Sequence, residues 1–380
     1  MQDGGAATGG PRRSARLGLD YTPGPGHAPG VGRYVRELVR ALVRIEGAPE
    51  LRLVEYGRAP RPMEGAPLAL TGRGVRVAPR RVRVGVPRRW LGGPIPLLGS
   101  AVGRISGRGC AVFHRVEPQR PARLHVPHTL SVTELPPAGS SALNALGETA
   151  RTAAAVVTFS ETARARIASE LGVALSRVHA VPVGTEHWWR DLGLHEPAPA
   201  RPSRDVLVLG AVREARMPLA ALRAFEALRE RAPREPSRLL LVGRPGDAAA
   251  AFRSALGASP ARDSVRWIED PDEVRMPACV AGAATLLHFA RDEVSPVTPL
   301  EARRMGLSVV ASALPAFQEV LDGGARWVDP GDPAGVAEAL GDALDEGVSA
   351  EARRAAERSA RPFTWDACAR AHLDVWRPML

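Results

Sequence analysis

Glu293 and Glu301 bound the stretch EVSPVTPLE, eight positions apart with two prolines between them. An apolar run, ATLLHFA (284–290), precedes the stretch and LEARRMG follows it, so it reads as a strand-to-helix loop. In open α/β sheets such loops line the ligand crevice. A capping box, T-P-L-E, with Thr298 as N-cap and Pro299 at the first helical position, accounts for Glu301. Glu293 lies before that cap and is read as a ligand contact. Arg213 and Arg216 stand in GAVREARMP, after the run DVLVLGA. Two guanidinium groups near a helix start disfavour the dipole unless an anion sits there; solvated arginines are the plainer alternative. Gly30 and Gly32, with Gly24 and Gly26 ahead of them, precede a helical pattern. They suit either an anion held on free amides or a simple turn. His125 and His128, in RLHVPH, are strand-end histidines bonded to backbone or, for His128, a site group.

Elements that could position these residues alternate along the chain. In the front half, strand patterns fall at 15–22, 51–57, 111–115, 123–128 and 154–160, with helical periodicity over 30–45 and 161–172. In the back half, strand patterns fall at 205–211, 238–243, 264–269, 284–290, 307–312 and 325–330. Two such series predict an α/β protein of two Rossmann-like, doubly wound domains facing across a cleft. The first spans 1–189, a proline-rich linker 190–204, and the second begins at 205.

Composition narrows the chemistry. The 380-residue chain has 45% hydrophobic residues, and no apolar run reaches the length of a membrane span. The opening sixteen residues lack the apolar core of a secretory signal, so a cytoplasmic location is expected. Cys110, Cys279 and Cys368 lie in no metal or redox spacing. All 51 basic residues are arginine, which excludes a Schiff-base lysine and a Walker A lysine. Residues 1–190 carry 27 arginines against 13 acidic residues. Aromatics at 4% and the absence of any zinc, helix-turn-helix or RNP pattern argue against nucleic acid. The stretch PRRVRVGVPRRWLGG (79–93) fits either peripheral contact with an anionic membrane or an arginine-rich edge strand. Asp270-Pro271-Asp272 reads as a turn rather than a metal-binding DxD. Trp188 and Trp189 are read as packing at the domain hinge.

Four places, taken in order, resemble the retaining glycosyltransferases of family four, which have the GT-B fold. They are GVGRYVRELVRAL, the stretch 156–184, the E-x7-E element followed by GLSVVASALPAFQEVL, and the tail from WVDPGDPAGVAEAL to FTWDACARAHLDVW. The resemblance implies a nucleotide-sugar-binding domain over 205–361 and a C-terminal helix (362–380) crossing back to the acceptor-side domain. It implies transfer of a hexose, with retention and without metal or cofactor, from a nucleoside-diphosphate sugar to a glycan, lipid-linked or small-molecule acceptor. Glu301 is carried over to the ribose hydroxyls, while Glu293 and His128 face the sugar. Arg216, with Arg213, meets the leaving diphosphate. Gly30, Gly32, Ser295 and Val297 are the remaining donor-binding positions.

Departures from the family pattern gather at the phosphates. Ala211 replaces an arginine and Arg216 a lysine, a point charge exchanged for a planar fork. Val294 and Pro296 stand where glycines are usual, and proline has no N–H to donate. Thr129, not aspartate, follows His128. These losses keep a second reading open, a weakened or inactive accessory or binding protein on the same fold.

Overall fold

The computed structural model describes residues 16–25, 30–57, 76, 79–85, 96–116, 124–188, 203–233, 237–269 and 276–380. In the first half, β1 (Arg16–Asp20), β2 (Glu50–Tyr56), β3 (Arg80–Val84), β4 (Val112–Arg115), β5 (His128–Ser131), β6 (Ala155–Thr158) and β7 (Val178–Ala180) form one sheet. Its order is β3-β2-β1-β4-β5-β6-β7, and neighbouring strands run parallel. Helices α1 (Val31–Leu42), α2 (Pro96–Gly107), α3 (Ser141–Thr152) and α4 (Glu161–Leu171) belong to this domain.

The second sheet holds β8 (Asp205–Leu209), β9 (Arg238–Val242), β10 (Val265–Ile268), β11 (Thr285–His288), β12 (Ser308–Ser312) and β13 (Arg326–Val328), in the order β10-β9-β8-β11-β12-β13. Its helices are α5 (Pro218–Arg231), α6 (Ala249–Ala258), α7 (Met276–Gly282), α8 (Val297–Arg304), α9 (Pro315–Leu321), α10 (Pro333–Gly347) and α11 (Ala350–Ala360). Both sheets are parallel and doubly wound, as the alternation of patterns predicts. AVVT, TLLH and SVVAS are buried along their whole length, as a sheet covered on both faces requires.

The last helix, α12 (Trp365–Trp376), follows the second domain in sequence but packs on the first. Trp365, Cys368, Ala369 and Trp376 complete the cluster formed by Leu17, Leu19, Leu51 and Leu53 with Val35, Leu38 and Val39 of α1. Burying each such aliphatic side chain contributes about 1.5–3 kcal/mol. Gly184 permits the approach, because a Cβ there would stand 2.3 Å from the Trp365 nitrogen. A buried polar chain joins helix to sheet. Trp376 Nε1 donates to Thr129 Oγ1 at 3.0 Å, and His114 bonds Thr129 at 2.8 Å and Ser131 at 3.0 Å. Tyr34 shares hydrogen bonds of 2.7 Å with Ser131 and with His372 Nε2. Burial pushes His372 down to about 4, and burial followed by the neighbouring His372 pushes His114 well below its ordinary value. Both rings are therefore neutral at neutral pH.

Several elements differ from the sequence expectation. The strand expected at 123–128 is β5, and it begins at His128 because Pro127 has no N–H for the ladder and offers only its carbonyl, to Phe113. HTLS looks like a loop by polarity, yet its hydroxyls are paired inside. The short β7 was not expected as a separate strand, whereas β3 fits the arginine-rich edge strand, one of the two readings of 79–93. On β3, Arg81 and Arg83 pair with Glu55. Residues 86–95, most of the linker 190–204, Gly26, Trp189 and Asp270 to Asp272 lie outside the described residues. The capping box is also corrected. Helix α8 begins at Val297, so Thr298 lies inside the first turn, and Pro296 occupies the cap position with no side-chain cap. Glu301 is held elsewhere and cannot reach back.

Candidate active site

The order of the second sheet reverses between β8 and β11, since the chain runs outward through β9 and β10 before returning beside β8. Ligands of doubly wound sheets bind outside the carboxyl ends at that point, here between residues 210–217 and 289–296. The two loops are stitched together, Arg291 donating its amide to the Ala215 carbonyl at 2.9 Å. Asp247 accepts the Glu214 amide at 2.8 Å and holds the first loop from its other side.

Arg216 and Glu293, two of the residues singled out in the sequence, meet here. Arg216 Nη2 lies 2.5 Å from Glu293 Oε2, and Nη1 donates to His288 Nε2 at 2.9 Å. A guanidinium is always a donor, so Nε2 accepts and His288 is neutral. Burial, then the charge of Arg216, holds His288 well below its ordinary pKa. Burial also raises the Glu293 carboxyl, with Arg216 opposing. Arg213 reaches across the cleft to Glu134, just beyond β5, at 3.2 Å.

Glu301 lies apart from this group. Its carboxylate is 1% exposed and receives Arg33 Nη1 at 2.7 and 2.9 Å. Arg33 stands in the first turn of α1, directly after Gly32, with Gly30 at the cap in a positive-φ conformation (φ 76) that a side chain would strain. The same guanidinium lies 4.8 Å from the centre of the Trp188 ring. His187 Nε2 is 3.3 Å from Glu301 Oε1. Trp365 Nε1 donates to His187 Nδ1 at 3.2 Å and fixes the ring beside the carboxylate. Burial alone would raise Glu301, but Arg33 and His187 together outweigh it and the net shift is downward.

Between the glutamates the backbone is turned inward. The Ser295 amide bonds Glu293 Oε1 at 3.3 Å, and the Val297 amide bonds the Ser295 carbonyl at 2.8 Å. Val294 is buried among Leu130, Val132, Leu135 and Leu146 of the first domain, and Val297 packs against the α1 and α12 cluster. His128 is not brought to this cleft. It opens β5 at the amino end of the sheet, where it bonds the Thr149 backbone, and burial followed by Arg115 pushes it down to about 4.

Sequence reasoning passed over Arg33, Glu134, His187 and His288. Only His288 carried a usable signal, its place at the carboxyl end of a predicted strand. The other three become visible only when the domains face each other.

Residues 203–346 match the family described as glycosyl transferases group 1. The second domain is thus of the group 1 glycosyltransferase type, within a GT-B architecture. The whole chain superimposes on sucrose-phosphate synthase from Thermosynechococcus elongatus with a TM-score of 0.72 and 16% identity, covering 96% of this chain and 99% of that one. The N-terminal domain of trehalose-6-phosphate phosphatase from Candida albicans gives 0.69 at 14% identity, covering 98% of each chain. A glycosyltransferase from Rickettsia africae gives 0.66 at 11%, covering 97% and 99% respectively. No curated protein matches the chain in sequence.

Proposed function

We propose that this protein is a retaining, metal-independent hexosyltransferase that uses a nucleoside-diphosphate sugar. The observation that carries the reading is Arg216, fixed at both terminal nitrogens at the carboxyl ends of β8 and β11. Within the domain that matches group 1, this is where a departing diphosphate would need positive charge. Arg216, with Arg213 once it leaves Glu134, stabilises that charge, and Glu293 orients the sugar. Attack and departure then occur on one face of the anomeric carbon. The acceptor, a glycan, lipid-linked or small molecule, approaches from the first domain. Among the described residues no helix is long and apolar enough to cross a membrane.

A second reading, a binding or accessory protein without turnover, is favoured by two observations. Glu301, the residue assigned to the ribose, is already paired with Arg33, and Val294 plugs into the first domain. A nucleoside reaches Glu301 only after Arg33 lets go, so turnover requires the domains to part. Calorimetry with UDP, GDP and ADP, with hydrolysis of the matching sugar donors followed in parallel, separates the readings. Binding of one nucleotide, lost in Arg216→Ala and accompanied by slow hydrolysis, is expected of a transferase. Folded protein that binds none of them refutes it.

A further inference from the structure

We infer that His288 is a positioning residue, which aims Arg216 at the diphosphate of the donor; the inference rests on the transferase reading above. Arg216 carries five N–H donors on a flexible stem, and left alone it would sample many rotamers. Two acceptors remove that freedom. Glu293 Oε2 takes Nη2 at 2.5 Å and His288 Nε2 takes Nη1 at 2.9 Å, while the side chain remains 31% exposed. The outer N–H bonds are therefore presented to the cleft.

The choice of imidazole has a chemical consequence. A second carboxylate at this position would also fix the fork, but would cancel the charge that the phosphates need. A neutral imidazole accepts a hydrogen bond and leaves the positive charge in place. His288 is suited to that role by its surroundings. It is the last residue of β11, buried, with the Phe317 ring of α9 at 5.3 Å between centroids. Its backbone is fixed by pairing with β12, where His288 stands opposite Ala311. The imidazole thus rests on the rigid sheet, while Arg216 and Glu293 belong to loops.

The test titrates wild type, His288→Leu, His288→Asn and His288→Gln with inorganic pyrophosphate, with whichever of UDP, GDP or ADP binds the wild type, and with its nucleoside. Gln places an acceptor near the Nε2 position, whereas Asn is too short and Leu has none. Loss of a hydrogen bond to a charged group is expected to weaken pyrophosphate and nucleotide about tenfold in the Leu and Asn variants. The nucleoside should bind unchanged, and Gln should restore affinity to within about threefold. If Leu unfolds, Asn carries the comparison. Diphosphate affinity unchanged in Asn or Leu, equal losses for nucleoside and nucleotide, or failure of Gln to rescue would each overturn the positioning role. A wild type that binds no nucleotide brings down the transferase reading and this role with it. A wild type that binds nucleotide while the variants do not differ brings down only the role.

Discussion

Replacing Arg33 by methionine keeps the side-chain stem and removes the guanidinium from a carboxylate that is 1% exposed. Removing one partner of a buried ion pair costs about 3–5 kcal/mol, because the other charge stays desolvated. The ring contact with Trp188 contributes a further ~0.5–2 kcal/mol. His187, whose Nε2 stands 3.3 Å from Oε1, offsets part of the loss, and the variant should therefore be less stable by about 3 kcal/mol. For 380 residues melting as one unit, that lowers the melting temperature by about 4 °C. Urea unfolding at pH 7 measures it. The double variant Arg33→Met/Glu301→Gln, which leaves no buried charge, should recover most of the loss. The pH dependence follows from the direction of the Glu301 shift. In the wild type the folded carboxyl lies below its ordinary 4.5, so its contribution is complete above 4.5 and is lost as pH falls through the folded value. Without Arg33, burial raises the carboxyl and penalises its ionised form. The gap between wild type and Arg33→Met should accordingly narrow as pH is lowered below 4.5. A loss under about 1 kcal/mol, or strictly additive single and double variants, would refute the idea that Arg33 and Glu301 form a coupled buried pair.

Three further outcomes are expected. His114 and His372 are depressed in the folded state, so their contribution is present above pH 6.5 and lost as pH falls from there towards about 4; His372→Gln should flatten that limb in acid unfolding by up to about 1.4 kcal/mol per pH unit. Glu319 on α9 accepts the amides of Glu161 at 2.7 Å and Thr162 at 2.8 Å, capping α4 from the other domain, and Glu319→Ala should cost about 1 kcal/mol in urea unfolding. Val294→Ala withdraws a plug from the first-domain cluster and should cost about 2 kcal/mol while increasing the radius of gyration in small-angle scattering.

The fold was legible because the buried strands declare themselves. AVVT, TLLH and SVVAS are runs of strand length between helical patterns, and most of their side chains need only apolar packing against the helices that cover the sheet. HTLS failed the same reading because Thr129 and Ser131 are buried polar residues, whose partners His114, Tyr34 and Trp376 come from distant segments. At the site, Arg216 and Glu293 could each be placed in advance in a segment that follows a strand beside the switch point, though not paired with each other. Arg33 could not. Its partner is 268 positions away in the other domain, and no local pattern distinguishes it from the other arginines of α1. His128 was misplaced for a related reason, because a histidine near a strand end could lie at either edge of the sheet until Pro127 set where β5 begins.

Helix α12 belongs to the first domain's core yet is the last regular helix in the chain. On a ribosome, the segment from the end of β7 at Ala180 to Trp365 must be made before that core can close. At about 5–20 residues per second this leaves Tyr34, Val39 and their neighbours uncovered for roughly 10 to 40 s. The nascent first half is then a complete sheet whose apolar face lacks its covering helix, and removal of the chain from Trp365 onward would return the mature protein to that state.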